Sequence, residues 1–64
     1  MKIQLKAARV NANLTQEEVA KALKIGKNSI VKYESYESIP SVGVATKLAK
    51  LYGMKVDDII WSTE

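Results

Sequence analysis

Apolar residues recur at helical spacing along almost the whole chain. Leu5 and Ala8 stand one turn apart, with Lys2, Lys6 and Arg9 on a neighbouring stripe; this predicts an amphipathic helix over about residues 2 to 11. Asn13 suits its end, because Asn tolerates the left-handed backbone that closes helices. Thr15 followed by Glu18 is a capping-box pattern, and Glu17 adds negative charge beside the positive end of the dipole, so a second helix starts near Gln16. Its apolar positions Val19, Ala20 and Leu23 share one face, and Gly26 interrupts with a residue acceptable as a cap. The third helix is predicted over about residues 27 to 33, with Ile30 and Tyr33 facing the core and Ile25 plugging the corner before it. Pro40 and Ser41 mark the entry to a fourth helix over about residues 42 to 52, whose buried stripe is Ala45, Leu48, Ala49 and Tyr52. Gly53 stops it. Asp57 and Asp58 then fit the first turn of a fifth helix ending near Trp61. Period-two alternation is too short anywhere to compete, so the expected fold is all-α, a compact five-helix bundle.

Composition narrows the chemistry. The 64 residues hold one small domain, expected to span 1–64, and contain no cysteine and no histidine. Disulfides, thiolate chemistry, the commonest metal ligand and the commonest general base are therefore missing, and packing must supply the stability. No cofactor, metal site or catalytic group is expected, and no ligand pocket fits in this length. Adjacent Asp57 and Asp58 are better dipole partners than an acid–base pair. Ten Lys and Arg against seven Asp and Glu give a net charge of +3, a mild bias toward a polyanionic partner. No apolar run approaches a membrane span and the start shows no cleavable leader, so a soluble cytoplasmic protein is expected.

Two short helices joined by a tight corner make a unit in which the first braces the second and the second is presented outward, able to enter a DNA major groove. Between Lys24 and Val31 the chain reads "KIGKNSIV". Lys bonds guanine O6 and N7, Asn pairs bidentately with adenine, and Ser bonds either. Lys24, Lys27, Asn28 and Ser29 are thus suitable for DNA, although side-chain type alone fits an ordinary solvated face equally well.

The stretches "LKAAR", "LTQEEVAKALKI", "SIVKYE", "IPS" and "KLAKLYGMKVDDII" together resemble the Cro and lambda-repressor type of helix-turn-helix domain, the xenobiotic-response-element family of bacterial and phage regulators. The resemblance runs from Leu5 to Ile60. It implies a sequence-specific double-stranded DNA-binding repressor that inserts helix three into the major groove. It puts Gln16 on backbone phosphate, makes Ala20 the small residue at the helix crossing, and sets Lys27, Asn28, Ser29 and Lys32 where family members read bases or phosphates. It also implies that Arg9 pairs with Glu34. The chain departs from the family at Lys24, where glycine is usual in the corner, and at Tyr36 and Glu37, where glycine followed by a basic residue is usual. A left-handed corner at Lys24 costs roughly 1 kcal/mol, and Glu37 would repel phosphate.

A recognition helix this short contacts few base pairs, so a weak homodimer formed on a palindromic operator is expected, with Ile60 and Trp61 as the contact. Scattered Lys47, Lys50 and Lys55 fit a solubilising role. The competing reading is a protein-binding module on the same fold, antitoxin-like or antirepressor-like, which Glu37 and the modest net charge favour.

Overall fold

Thr15 and Glu18 form the expected capping box: Thr15 Oγ1 accepts from the Glu18 N–H at 3.1 Å, and Glu18 Oε1 accepts from the Thr15 N–H at 2.9 Å. Two of the free donors at the helix start are thereby satisfied, and the second helix begins at Gln16 as predicted. In the computed structural model, which describes residues 2–63, the chain runs β1 (Ile3–Gln4), α1 (Leu5–Asn11), α2 (Gln16–Leu23), α3 (Lys27–Glu34), α4 (Val42–Leu51), a single 3-10 turn (Val56–Asp58) and β2 (Ile59–Ile60). Ser41 caps α4, its Oγ accepting from the Val44 N–H at 3.3 Å.

Apart from Ile59, the core is drawn from the positions that the spacing predicts. Leu5, Ala8, Val19, Ala20, Ile30, Leu48, Ala49, Tyr52 and Ile59 form one buried cluster, with Leu23, Ile25 and Tyr33 packed partly buried against it. Val19 and Ile30 are essentially sealed from solvent, so the two helices of the motif share one anchor. Ala20, with no side chain beyond Cβ, is buried in the same cluster.

The two ends of the chain depart from the five-helix expectation. Among the described residues four α-helices form, and the predicted first turn of helix one is instead the strand Ile3–Gln4, paired in parallel with Ile59–Ile60 (Ile3 opposite Ile59, Gln4 opposite Ile60). The predicted fifth helix is only the 3-10 turn Val56–Asp58 before that second strand. Side-chain shape explains both corrections. Ile59 and Ile60 are β-branched and favour extended backbone, and Ile59 reaches the core while Ile60 and Trp61 are left half-buried.

All four helices end in the same way. The residue after each helix, or after its cap, turns left-handed: Asn13 (φ 60°), Lys24 (φ 58°), Tyr36 (φ 64°) and Gly53 (φ 68°). Each closes a paired set of reversed hydrogen bonds, as in Ile25 N–H to Ala20 O at 3.0 Å with Lys24 N–H to Lys21 O at 3.2 Å. Asn13 and Gly53 suit that backbone. Lys24 and Tyr36 do not, each at a cost of about 1 kcal/mol.

Tyr36 gains something in exchange. Its hydroxyl accepts from the Leu5 N–H at 3.3 Å and donates to the Ile60 carbonyl at 3.1 Å, tying the end of α3 to both strands. Tyr36→Phe should therefore lower stability by about 1 kcal/mol, because a half-buried amide and carbonyl lose their partner. For a domain this small, thermal melting should fall by about 4–8 °C. An unchanged melting temperature would show that the hydroxyl ties nothing.

Candidate nucleic-acid interface

The face of α3 opposite the core is built by simple helical geometry. Ile30 points inward, 1% exposed, so Asn28, Val31 and Lys32, rotated away from it, come to the surface, and Lys27, one turn before Ile30, is exposed at the open first turn of the helix. Ser29 is half-buried at the helix start. Lys24 lies in the corner, exposed, three residues before Lys27 and held by the left-handed turn. Gly26 caps α3 without a side-chain bond.

Gln16 lies at the first position of α2 and meets α3 from the side. Its Nε2 donates to Glu34 Oε1 at 3.0 Å, which fixes the amide plane and leaves the second N–H of that group for another acceptor. Gln16 and Lys27 line one shallow cleft of about 200 Å³ together with Arg9, Thr15 and Glu17. A second cleft of about 250 Å³ is lined by Lys6, Gln16, Val31, Glu34 and Ser35. Gln16 thus stands between α1 and the exposed face of α3.

Behind this surface, Arg9 Nε donates to Glu34 Oε2 at 2.6 Å, Arg9 Nη2 to Glu34 Oε1 at 3.4 Å and Arg9 Nη1 to the Leu14 carbonyl at 2.7 Å. The Arg9–Glu34 pairing implied by the family resemblance is present, and it reaches further than a pair, because Glu34 also holds Gln16. Tyr52 sits in the same interior, and its buried hydroxyl has no hydrogen-bond partner. Burial, reinforced by the Glu34 carboxylate and opposed by Arg9, pushes the Tyr52 phenol up to about 12. The phenol therefore stays neutral.

Two acids moderate the positive face. Lys27 Nζ approaches Glu17 Oε1 at 3.5 Å, an exposed pair. Glu37 is exposed, and its Oε2 accepts from Ser35 Oγ at 3.1 Å. Sequence reasoning missed two further members of the surface. Val31 is 39% exposed and lies one turn from Asn28 and Lys27, so a small apolar group sits beside them on the surface. Its signal was available: the residue after an inward Ile30 is rotated by a hundred degrees or so onto the stripe of Asn28. Lys6 is the other, brought to Gln16 and Val31 by the packing of α1.

The residues expected to pair two copies lie elsewhere. Ile60 and Trp61 are half-buried and border a surface hollow of about 620 Å³ with Lys2, Gln4 and Tyr36. The Trp61 indole N–H donates to the Val56 carbonyl at 2.9 Å, and its ring packs partly against the core.

A helix-turn-helix family model matches residues 5–59, nearly the whole of this architecture. The chain belongs to the Cro and lambda-repressor type of helix-turn-helix family. Among family relatives it is 42% identical over 59 residues to an uncharacterized HTH-type transcriptional regulator of Methanocaldococcus jannaschii, covering 92% of this chain and 89% of that one. It is 38% identical over 56 residues to the cryptic phage CTXphi transcriptional repressor RstR of Vibrio cholerae, covering 88% of this chain but only 50% of RstR. It is 27% identical over all 64 residues to the regulator YgzD of Bacillus subtilis, covering 97% of it. No solved structure gives a significant match. Among the described residues no helix is long and apolar enough to cross a membrane.

Proposed function

We propose that the chain is a sequence-specific DNA-binding regulator of transcription, a repressor of the bacterial or phage type, that inserts α3 into the major groove. The observation that carries this reading is the outward face of α3, where Lys27, Asn28, Val31 and Lys32 are exposed together with no acid among them. In this reading Asn28, Ser29 and Val31 meet base edges and Lys27 and Lys32 meet bases or phosphates. Gln16, aimed by Glu34, and Lys24, held in the corner, grip the backbone. The relatives' names as transcriptional regulators, one of them a repressor, support it.

Two copies bind a palindromic operator. Each domain measures 28 × 22 × 19 Å and takes one of two half-sites about 34 Å apart on one face of the duplex. Ile60 and Trp61 form the contact, a small one that assembles on DNA. A protein-binding module on the same fold, antitoxin-like or antirepressor-like, is the second reading, favoured by Glu17 and Glu37 flanking the basic face.

Selection of binding sites from random duplexes tests the first reading against the second. A palindromic consensus is expected. On that consensus, Asn28→Ala should relax preference at one position of each half-site by roughly 1–3 kcal/mol, while Gln16→Ala should weaken binding to every sequence alike. No enriched sequence, or an equal loss on all sequences for both variants, would remove α3 as the reader.

A further inference from the structure

Away from the α3 face, the ends of α2 and α4 enclose a groove of about 360 Å³ lined by Ala22, Leu23, Lys47, Lys50 and Leu51. Lys47, Lys50 and Leu51 stand three and four residues apart and share one face of α4. Leu51 is 37% exposed, Ala22 is exposed, and Leu23 is half-buried, so the floor is apolar where a solvated helix face is ordinarily polar. Ala22 also leaves the floor low, since no side chain beyond Cβ rises from it.

The rim has one sign of charge. No Asp or Glu occurs from Val19 to Tyr33 or from Ser38 to Val56, the stretches that supply every residue of the groove. Among the described residues the ion pairs are Arg9 with Glu34 and Lys27 with Glu17, so neither Lys47 nor Lys50 is matched by a carboxylate. Lys47 and Lys50 are both exposed beside Leu23 and Leu51.

From this complementarity we infer that the α2–α4 groove docks an acidic amphipathic segment of a protein partner, with an apolar side chain seated between Leu23 and Leu51 and flanking carboxylates on Lys47 and Lys50. A sugar–phosphate backbone would match the lysines but would leave the leucine floor without a partner, whereas an acidic segment with one apolar face satisfies both. The groove is formed by residues other than those assigned to DNA.

The test is a nuclear magnetic resonance titration of the isotope-labelled full chain with a synthetic helical peptide that has a leucine stripe on one face and glutamates on the other. Amide shifts are expected at Ala22, Leu23, Lys50 and Leu51, with little change along α3. Replacing the peptide's glutamates by glutamine, or making Lys47→Glu with Lys50→Glu in the protein, should weaken binding by about tenfold or more. Lys47→Gln with Lys50→Gln removes the charge without adding acid and serves if the double Glu variant melts early; it should weaken the peptide in the same direction. Absence of shifts, equal binding of the glutamine peptide, shifts confined to α3, or displacement of the peptide by a random DNA duplex would each overturn the proposal.

Discussion

Raising salt fourfold is expected to lower affinity for the palindromic duplex by about a thousandfold. Each domain offers Lys24, Lys27 and Lys32 beside the α3 face, so a dimer neutralises about six phosphates and the log-log slope is about −5. The charges are not equivalent. Lys27 is shared with Glu17 at 3.5 Å, and DNA must compete for it. Glu17→Gln should therefore strengthen binding at low salt and steepen the slope, while Lys32→Gln should flatten it by about one unit per domain. Fluorescence anisotropy across a salt series measures all three. A flat salt dependence, or no binding to any duplex at low salt, would remove the regulator reading and leave the protein-binding one.

Glu34→Ala is expected to have the largest effect on the fold. The carboxylate accepts from Arg9 Nε, Arg9 Nη2 and Gln16 Nε2, and the side chains of Arg9 and Glu34 are only 11% and 5% exposed. Removing it leaves a nearly buried guanidinium with the Leu14 carbonyl as its one remaining acceptor. Breaking such a pair from one side costs about 3 kcal/mol. That corresponds to a fall in melting temperature of about 12–24 °C for a domain of this size. Replacing both partners, Arg9→Met with Glu34→Leu, should recover most of the loss, since neither charge is then stranded. The recovered protein should still bind DNA more weakly, because Gln16 has lost the group that aims its amide. A single Glu34→Ala variant that melts within about 2 °C of the parent would mean that the pair holds nothing together.

Local and long-range features of the fold are not equally legible in the sequence. The middle of the chain was legible because its information is local: Thr15 and Glu18 cap α2, Ser41 caps α4, and Leu5, Ala8, Val19, Ile30 and Leu48 repeat at the helical period and reach the core. The Arg9–Glu34 pair was available from the family resemblance, although local spacing says nothing of residues 25 apart in sequence. Ile3 and Ile59 were misjudged for the complementary reason. A strand two residues long has no alternation to detect, and its pairing joins opposite ends of the sequence. Tyr36 failed on a different count. At its left-handed φ the expected residue is glycine, and only the positions of the Leu5 N–H and the Ile60 carbonyl show what a tyrosine does there.

The parallel pairing of Ile3–Gln4 with Ile59–Ile60 also sets an order of events during synthesis. On the ribosome β1 emerges before β2, and 54 residues lie between Gln4 and Ile59. At about 5–20 residues per second the early strand waits several seconds for its mate. During that interval Ile3 has no strand opposite it, and the Tyr36 hydroxyl lacks the carbonyl it will later meet. A nascent chain released before Ile59 would carry α3 but no paired strand at its edge. The cell would then handle it as a substrate for chaperones and proteases rather than as a weaker copy of the regulator.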